Sequence, residues 1–424
     1  MSLLRVTKSL TIGVVSCTLL HAAGLRLEDL EQMALSDNPT MAQMQANVQA
    51  AEGLARQAGL YPNPTAGYYG DQIRGGSFGG GEEGAFLSQT LVMGGKLGAA
   101  RRVAQLGAKE AQTNSQAQRL RILGNVRALF YQVLAAQRMV EVRQNLVKLA
   151  GDAVQTSHEL GNVGQADRPD ILQAEVEQQQ AEVSRRVAQQ NLRASWKILA
   201  TVVGKPDLEV SAVEGDLEAI PEMNYEESLA AALSDSPEVK LAQQEVERAE
   251  AMLSQARKVP IPDLQVTGIL MQSYEALPGS GRPAGLMGGA QIGVELPIFD
   301  RNQGNIAAAK AGIENATQEL VRVRLDLRRK LANLFRDYDA ARSTALQYKT
   351  EMLPRAEQAY MLYRGNYQKM AAAYPQVLIS QRTLFQLQVE YIQALDSTWQ
   401  SALQIRAFGL TDGLAQPAGI QRAP

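Results

Sequence analysis

Apolar residues recur along this chain at alternating steps of three and four. Met41, Met44, Val48, Ala51, Ala55 and Ala58 form one such series, and Val239, Ala242, Val246, Ala249, Leu253 and Ala256 form another 198 positions further on. The spacing puts each set on one stripe of an α-helix and predicts helices packed side by side in a shallow supercoil. Each series runs out at a proline pair, Pro62 and Pro64 in the first and Pro260 and Pro262 in the second. Proline lacks the N–H donor and disfavours helical geometry in the residue before it, so helix gives way there to extended chain. The same offset carries "ALSDNP" (Ala34 to Pro39) onto "ALSDSP" (Ala232 to Pro237). The chain is an internal duplication.

Longer series follow in both copies. No proline interrupts Gly95 to Leu160, where Ile122, Val126, Leu129, Val133, Ala136 and Val140 keep the helical step. About 65 helical residues reach roughly 100 Å, far beyond an ordinary globular helix. The second copy repeats this from about Asn305 to Met352, with Leu327, Leu331, Leu334, Tyr338, Ala341, Ala345 and Tyr348 on the seam. Turns are predicted at "ELGNVGQADRPD" (Glu159 to Asp170) and "YRGNYQKMAAAYPQ" (Tyr363 to Gln376), with helices returning to Trp196 and Trp399. Two long antiparallel helical hairpins result.

The extended pieces come in pairs. In "GAQIGVELPI" (Gly289 to Ile298), Ala290, Ile292, Val294, Leu296 and Ile298 alternate with Gln291, Gly293 and Glu295, giving a strand with one apolar and one polar face. Partner strands are expected at Pro64 to Ile73, Gly84 to Val92 and Asp263 to Gln272, joined by glycine-rich loops at Gly75 to Gly84 and Tyr274 to Gly288. Each copy, residues 24–220 and 221–424, thus reads as helix, β-hairpin and long helical hairpin. Four strands cannot close a barrel, and in lipid every strand edge has to be satisfied, so the chain is expected to oligomerise. Two copies give eight strands, which side chains would largely fill, and three give twelve with room for a lumen.

The formal net charge of -2, pI near 6.0 and 5% aromatics offer no basic field for nucleic acid. Residues 1–23 read as an export signal: Arg5 and Lys8 precede an apolar run too short to span a bilayer. Cys17, the only cysteine, lies in "VVSC", acceptable for lipid attachment, whereas cleavage after Ala23 removes it. No later stretch has the length and apolarity of a membrane-spanning helix. Catalytic and cofactor motifs are lacking: "GGKLG" has neither the spacing nor the Ser or Thr of a phosphate loop, and His158 is the one histidine outside the signal. A single histidine does not make a transition-metal site, and Met41 and Met44 sit where methionine fills a core. The basic run "RVRLDLRRK" (Arg322 to Lys330) reads as the wet face of a helix.

"AEGLARQAGLYPNP", "SQTLVMGGK", "LPIFDRNQGNIAAA" and "SQRTLFQLQVEYIQAL" resemble the outer-membrane efflux protein family, the TolC-like exit ducts, and within it the branch serving heavy-metal efflux. The resemblance covers essentially the whole mature chain. It implies an α+β membrane protein: a homotrimer whose twelve strands form an outer-membrane barrel and whose helices continue as a periplasmic tunnel. It also implies docking to an inner-membrane cation pump of the RND class through a periplasmic adaptor. Many members carry an acidic "DVLxA" motif just after the second hairpin turn, where carboxylates ring the aperture; here the segment is "PQVLIS", with Gln376 and Ile379 in place of charge. By this resemblance Arg364, Tyr374, Gln376 and Ile379 are aperture candidates, and Gly161, Asp167, Arg168, Asp170 and Gly365 are outer-tip and adaptor-contact candidates. Two other readings stay open: the same duct carrying organic toxins or drugs, and a non-conducting periplasmic adaptor or coiled-coil adhesin.

Overall fold

The computed structural model describes residues 24–73, 81–164, 166–276, 279, 282–369 and 374–415. The signal, Cys17, the loop tip at 74–80 and the second hairpin turn at 370–373 lie outside these residues, as do the side chains of Gln368 and Tyr374. The first copy contains α1 (Leu27–Asp37), α2 (Pro39–Gln57), β1 (Thr65–Asp71), β2 (Glu82–Leu91), α3 (Lys96–Asn162) and α4 (Arg168–Val203). The second contains α5 (Tyr225–Asp235), α6 (Pro237–Lys258), β3 (Leu264–Ala276), β4 (Pro283–Val294), α7 (Gln303–Gln347), a π-helical turn (Tyr348–Met352), α8 (Leu353–Gln368) and α9 (Tyr374–Arg406).

The duplicated "ALSDNP" and "ALSDSP" stretches prove to be helix punctuation. Asn38 and Ser236 each stop one helix and cap the next, their side-chain oxygens accepting from the backbone N–H of Thr40 and Glu238, with Pro39 and Pro237 at the first helical position. The long helices align at a slightly larger offset. Ile122, Val126, Phe130 and Val133 are buried in α3, and Leu327, Leu331, Phe335 and Tyr338, each 205 positions later, are buried in α7. Trp196 and Trp399 are equivalent anchors: their indole N–H groups donate to the carbonyls of Leu208 and Leu217, tying the linker between the copies to the ends of α4 and α9. Tyr131 stacks on Trp399 with ring centroids 3.5 Å apart.

The four strands form one antiparallel sheet in the order β1-β2-β3-β4, so both copies contribute a hairpin to the same wall, and among the described residues the outer edges of β1 and β4 are unpaired. Several boundaries differ from the sequence reading. β4 runs from Pro283 to Val294, earlier than the expected Gly289 to Ile298. Its glycines, which carry no alternation signal, are held by the ladder to β3, and the chain leaves the sheet before Pro297, which has no N–H to donate. Helices α4 and α9 continue beyond Trp196 and Trp399. They stop where Gly204 (φ +89°) and then Phe408 and Gly409 (φ +55° and +75°) turn left-handed. The second long helix begins at Gln303 and passes beyond Met352. Pro354 cannot donate to the carbonyl one turn back, and the chain absorbs this as a π turn in which the Leu353 N–H donates to the Tyr348 carbonyl, after which α8 proceeds.

Candidate channel wall and periplasmic tip

The pleat sorts the sheet's side chains into two unlike faces. Tyr68, Leu87, Leu270, Leu286, Ile292 and Val294 stand on one face, all well exposed, Leu286 by 71%. A contiguous apolar patch of this kind marks an interaction surface, and on a sheet of this strand length it matches the lipid-facing band of a barrel wall. The opposite face carries Asp71, Glu82, Ser88, Thr90, Gln265, Thr267 and Gln291, with Phe86, Ile269, Met271 and Met287 among them. There the Ser88 and Thr267 hydroxyls lie 2.9 Å apart in hydrogen-bond contact. Glycines keep that polar face shallow, and at Gly67 an added Cβ would meet the Phe86 ring at 2.6 Å.

Below the sheet, tight turns launch the long helices. Gly95 (φ +68°) precedes α3, and Asn302 (φ +58°) precedes α7 in the same left-handed geometry. Asn302 is fixed there by its side-chain amide, which donates to the Ala256 carbonyl, and by Asp300, whose carboxylate accepts from its N–H. The "LPIFDRNQG" stretch is therefore a strand-to-helix joint. Three cations of the basic run that follows are paired locally: Arg322 with Glu319, Arg329 with Asp326, and Lys330 with Asp326 and Glu238.

At the far end the first hairpin closes tightly. Gly161 lies where a Cβ would meet the end of the Ile171 side chain at 2.8 Å, so a larger residue would require Ile171 to shift. Asp167 precedes α4 in extended geometry, its carbonyl accepting from the N–H groups of Asp170 and Ile171, while Arg168 and Pro169 open the helix. His158 contacts Glu175 at 3.2 Å across the hairpin. In the second hairpin Tyr360, Val377 and Leu384 form a small core between α8 and α9. Gln376 and Ile379 stand exposed on the first turns of α9, Arg364 is half-buried on α8, and Gly365 has open space where a Cβ would point. Tyr374 begins α9, and its side chain lies outside the described residues.

The two tips meet. Burial, reinforced by the Asp170 carboxylate from the first hairpin, pushes the Tyr367 hydroxyl above its ordinary pKa. Burial does the same to Tyr360, opposed by the Arg364 charge. A second link was not legible in the sequence: Arg382 on α9 pairs with Glu177 on α4, its Nε 3.2 Å from a carboxylate oxygen. These residues are 205 positions apart, and no local pattern couples them. Among the described residues no group of three or more His, Cys, Asp or Glu is placed to hold a metal ion, and no helix is long and apolar enough to cross a membrane.

The sequence profile of the family described as "Outer membrane efflux protein" matches residues 30–205 and 229–408, one match in each copy and most of the chain together. The chain belongs to that family. Outer membrane efflux proteins are channel proteins rather than enzymes, and this one is an outer-membrane channel with the TolC-like fold, its long helices extending through the periplasm. The cobalt-zinc-cadmium resistance protein CzcC of Cupriavidus metallidurans is 29% identical over 386 residues, covering 91% of this chain and 90% of that protein. The nickel-cobalt-cadmium resistance protein NccC of Alcaligenes xylosoxydans xylosoxydans is 25% identical over 300 residues, 70% of this chain and 66% of that one. The crystal structure of the outer membrane protein VceC from Vibrio cholerae superposes with a TM-score of 0.71 at 19% identity, covering 90% of this chain and 96% of VceC.

Proposed function

We propose that three copies of this chain close a twelve-stranded barrel and serve as the exit duct of a tripartite system exporting heavy-metal cations. The observation that carries the assembly is the open four-stranded sheet, apolar on one face and with bare edges at β1 and β4. In lipid those edges have to be paired, and β4 of one copy meeting β1 of the next satisfies both. The apolar band then faces lipid, and the face with Asp71, Glu82, Thr267 and Gln291 lines the lumen. Each repeat, residues 24–220 and 221–424, supplies one strand hairpin and one helical hairpin, so that helices line the tunnel as strands line the barrel.

The metal cargo rests on likeness to the cobalt-zinc-cadmium resistance protein over nearly the full length of both chains. A passive duct needs no metal ligands of its own, because a pump delivers the ions. In this arrangement the hairpin tips, with Gly161, Asp167, Arg168, Asp170 and Gly365 outermost, receive a periplasmic adaptor that joins the duct to an inner-membrane RND pump. Arg364, Tyr374, Gln376 and Ile379 surround the aperture.

A deletion strain, challenged with cobalt, zinc, cadmium, nickel and copper salts beside dyes and detergents, tests the cargo. Hypersensitivity to metals is expected; hypersensitivity to dyes alone would sink the metal assignment. Planar-bilayer recording tests the duct itself. Purified protein should give large open-channel conductance, whereas folded protein that stays silent at every voltage would favour a non-conducting adaptor or adhesin.

A further inference from the structure

Between the two helical hairpins lies a cavity of about 540 Å³, walled by α3, α4 and α9. Its volume falls within the roughly 300–1,000 Å³ range of small-molecule sites. The polar part of its wall is unbalanced. Arg143 from α3, Arg382 from α9 and Glu177 from α4 bring two positive charges against one negative. Glu177 is engaged by Arg382, and Arg143 has no carboxylate partner among the described residues. Burial alone lowers the pKa of the Arg143 guanidinium, as happens when a cation loses water and gains no counter-charge.

Gln381, on the same wall, is only 6% exposed and makes no hydrogen bond among the described residues. Its amide therefore opens into the cavity, where it can bond water or an occupant. The rest of the wall is mixed: Leu146, Leu378 and Phe385 are among its large apolar side chains, with Gln180, Ser184, Thr383 and Gln386 beside them.

We propose that this cavity binds an amphipathic organic monoanion, its carboxylate held by Arg143 and the Gln381 amide and its apolar body lying against Leu146, Leu378 and Phe385. An unpaired guanidinium is matched by one negative charge, and its planar fork suits a carboxylate. Because the cavity's walls come from both hairpins, an occupant favours the arrangement in which α4 and α9 stand this close.

The test uses the full-length assembled protein in neutral maltoside micelles, titrated calorimetrically with octanoate and, in parallel, with octanol. Saturable binding of octanoate at one site per chain is expected, with octanol far weaker. Arg143→Gln should weaken octanoate binding about tenfold or more, the loss of one charge-assisted hydrogen-bonding partner. Arg143→Lys should retain part of the affinity, and Gln381→Leu should weaken it severalfold. Circular dichroism and size-exclusion elution confirm each variant's fold, and if Arg143→Gln does not assemble, Gln381→Leu against the parent decides. Non-saturable uptake that is identical in parent and variants, as micelle partitioning or closure of the groove by a second copy would give, overturns the proposal. So does equal affinity for octanol.

Discussion

The two repeats place a helix of nearly the same reach in the periplasm and build it differently. In the first, α3 runs 67 residues from Lys96 to Asn162 without a break; in the second, α7 and α8 are separated by a five-residue π turn ahead of Pro354. Buried apolar positions correspond across the copies, while helix continuity, buried charge and tip chemistry do not. Duplication has kept the packing and left the mechanics free to diverge: one strut is continuous, and the other carries a joint just where Lys349 pairs with Glu218 of the linker at 2.7 Å. A π turn in a long helix is a natural place for bending.

The largest expected effect probes the shared anchor. Trp196→Ala and Trp399→Ala each remove a fully buried indole and should cost about 3–5 kcal/mol of stability. Trp399 should cost more, by roughly 0.5–1.5 kcal/mol, because only it stacks on Tyr131. Denaturant unfolding of the two variants measures this, and equal losses would erase the asymmetry.

A buried acid distinguishes the copies next. Glu110 on α3 lies against α6, its carboxyl pushed up to about 7 by burial, opposed by Arg248 at 3.2 Å and reinforced by Glu245. Its counterpart 205 positions on, Asn315, is exposed. A raised acid holds a proton in the fold that the unfolded chain has already released, so stability should fall as pH rises from about 4.5 to about 7 and level off above. Glu110→Gln should flatten that slope by an amount on the order of 2 kcal/mol. Parallel stability curves for parent and variant across this window would refute the assignment.

Pro354→Ala tests the joint. With an N–H restored at position 354, the π turn loses its cause, and amide exchange across Tyr348–Met352 should slow about tenfold by mass spectrometry, a modest fraction of what an interior proline costs a helix. Unchanged exchange would locate the cause of the π turn elsewhere.

The smallest effect concerns the tips, where the first copy opens α4 with Asp170 and the second opens α9 with Gln376. The native channel should show little block by divalent ions from the periplasmic side. Gln376→Asp should introduce it, on the order of a twofold drop in single-channel current, since carboxylates around a narrow opening concentrate such ions. Strong native block that survives neutralising Asp167 and Asp170 would place the mouth elsewhere.

Much of this architecture is legible in the sequence because long helices repeat their signal many times over. Ile122, Val126 and Val133, like Leu327, Leu331 and Tyr338, announce both face and length, and all six are buried. β4 was only half legible, since the stretch from Gly285 to Gly289 has too few side chains to alternate and its pairing is dictated by β3. The wall chemistry of the interhelical cavity could not be read at all. Arg143, Glu177 and Gln381 come from three helices in two repeats, and only packing brings them to one space. The joint at Pro354 was written in the chain, yet a proline followed by a continuing helical pattern reads equally as a stop.

With β4 of one copy paired to β1 of the next, as proposed, the bare edges of β1 and β4 turn a defect in one chain into a property of the whole assembly. A chain cut short after the first repeat offers the membrane a two-stranded hairpin with nothing on either side of it, and no amount of normal chain supplies its missing β3 from within the same molecule. A chain whose sheet is intact but whose tip is damaged is the worse offender. In the proposed trimer its edges still recruit normal copies, so every assembly that takes in one defective stave inherits the defect. In a cell expressing both alleles, loss-of-function substitutions in the helical tips should therefore behave as dominant, whereas those that unfold the sheet should be recessive.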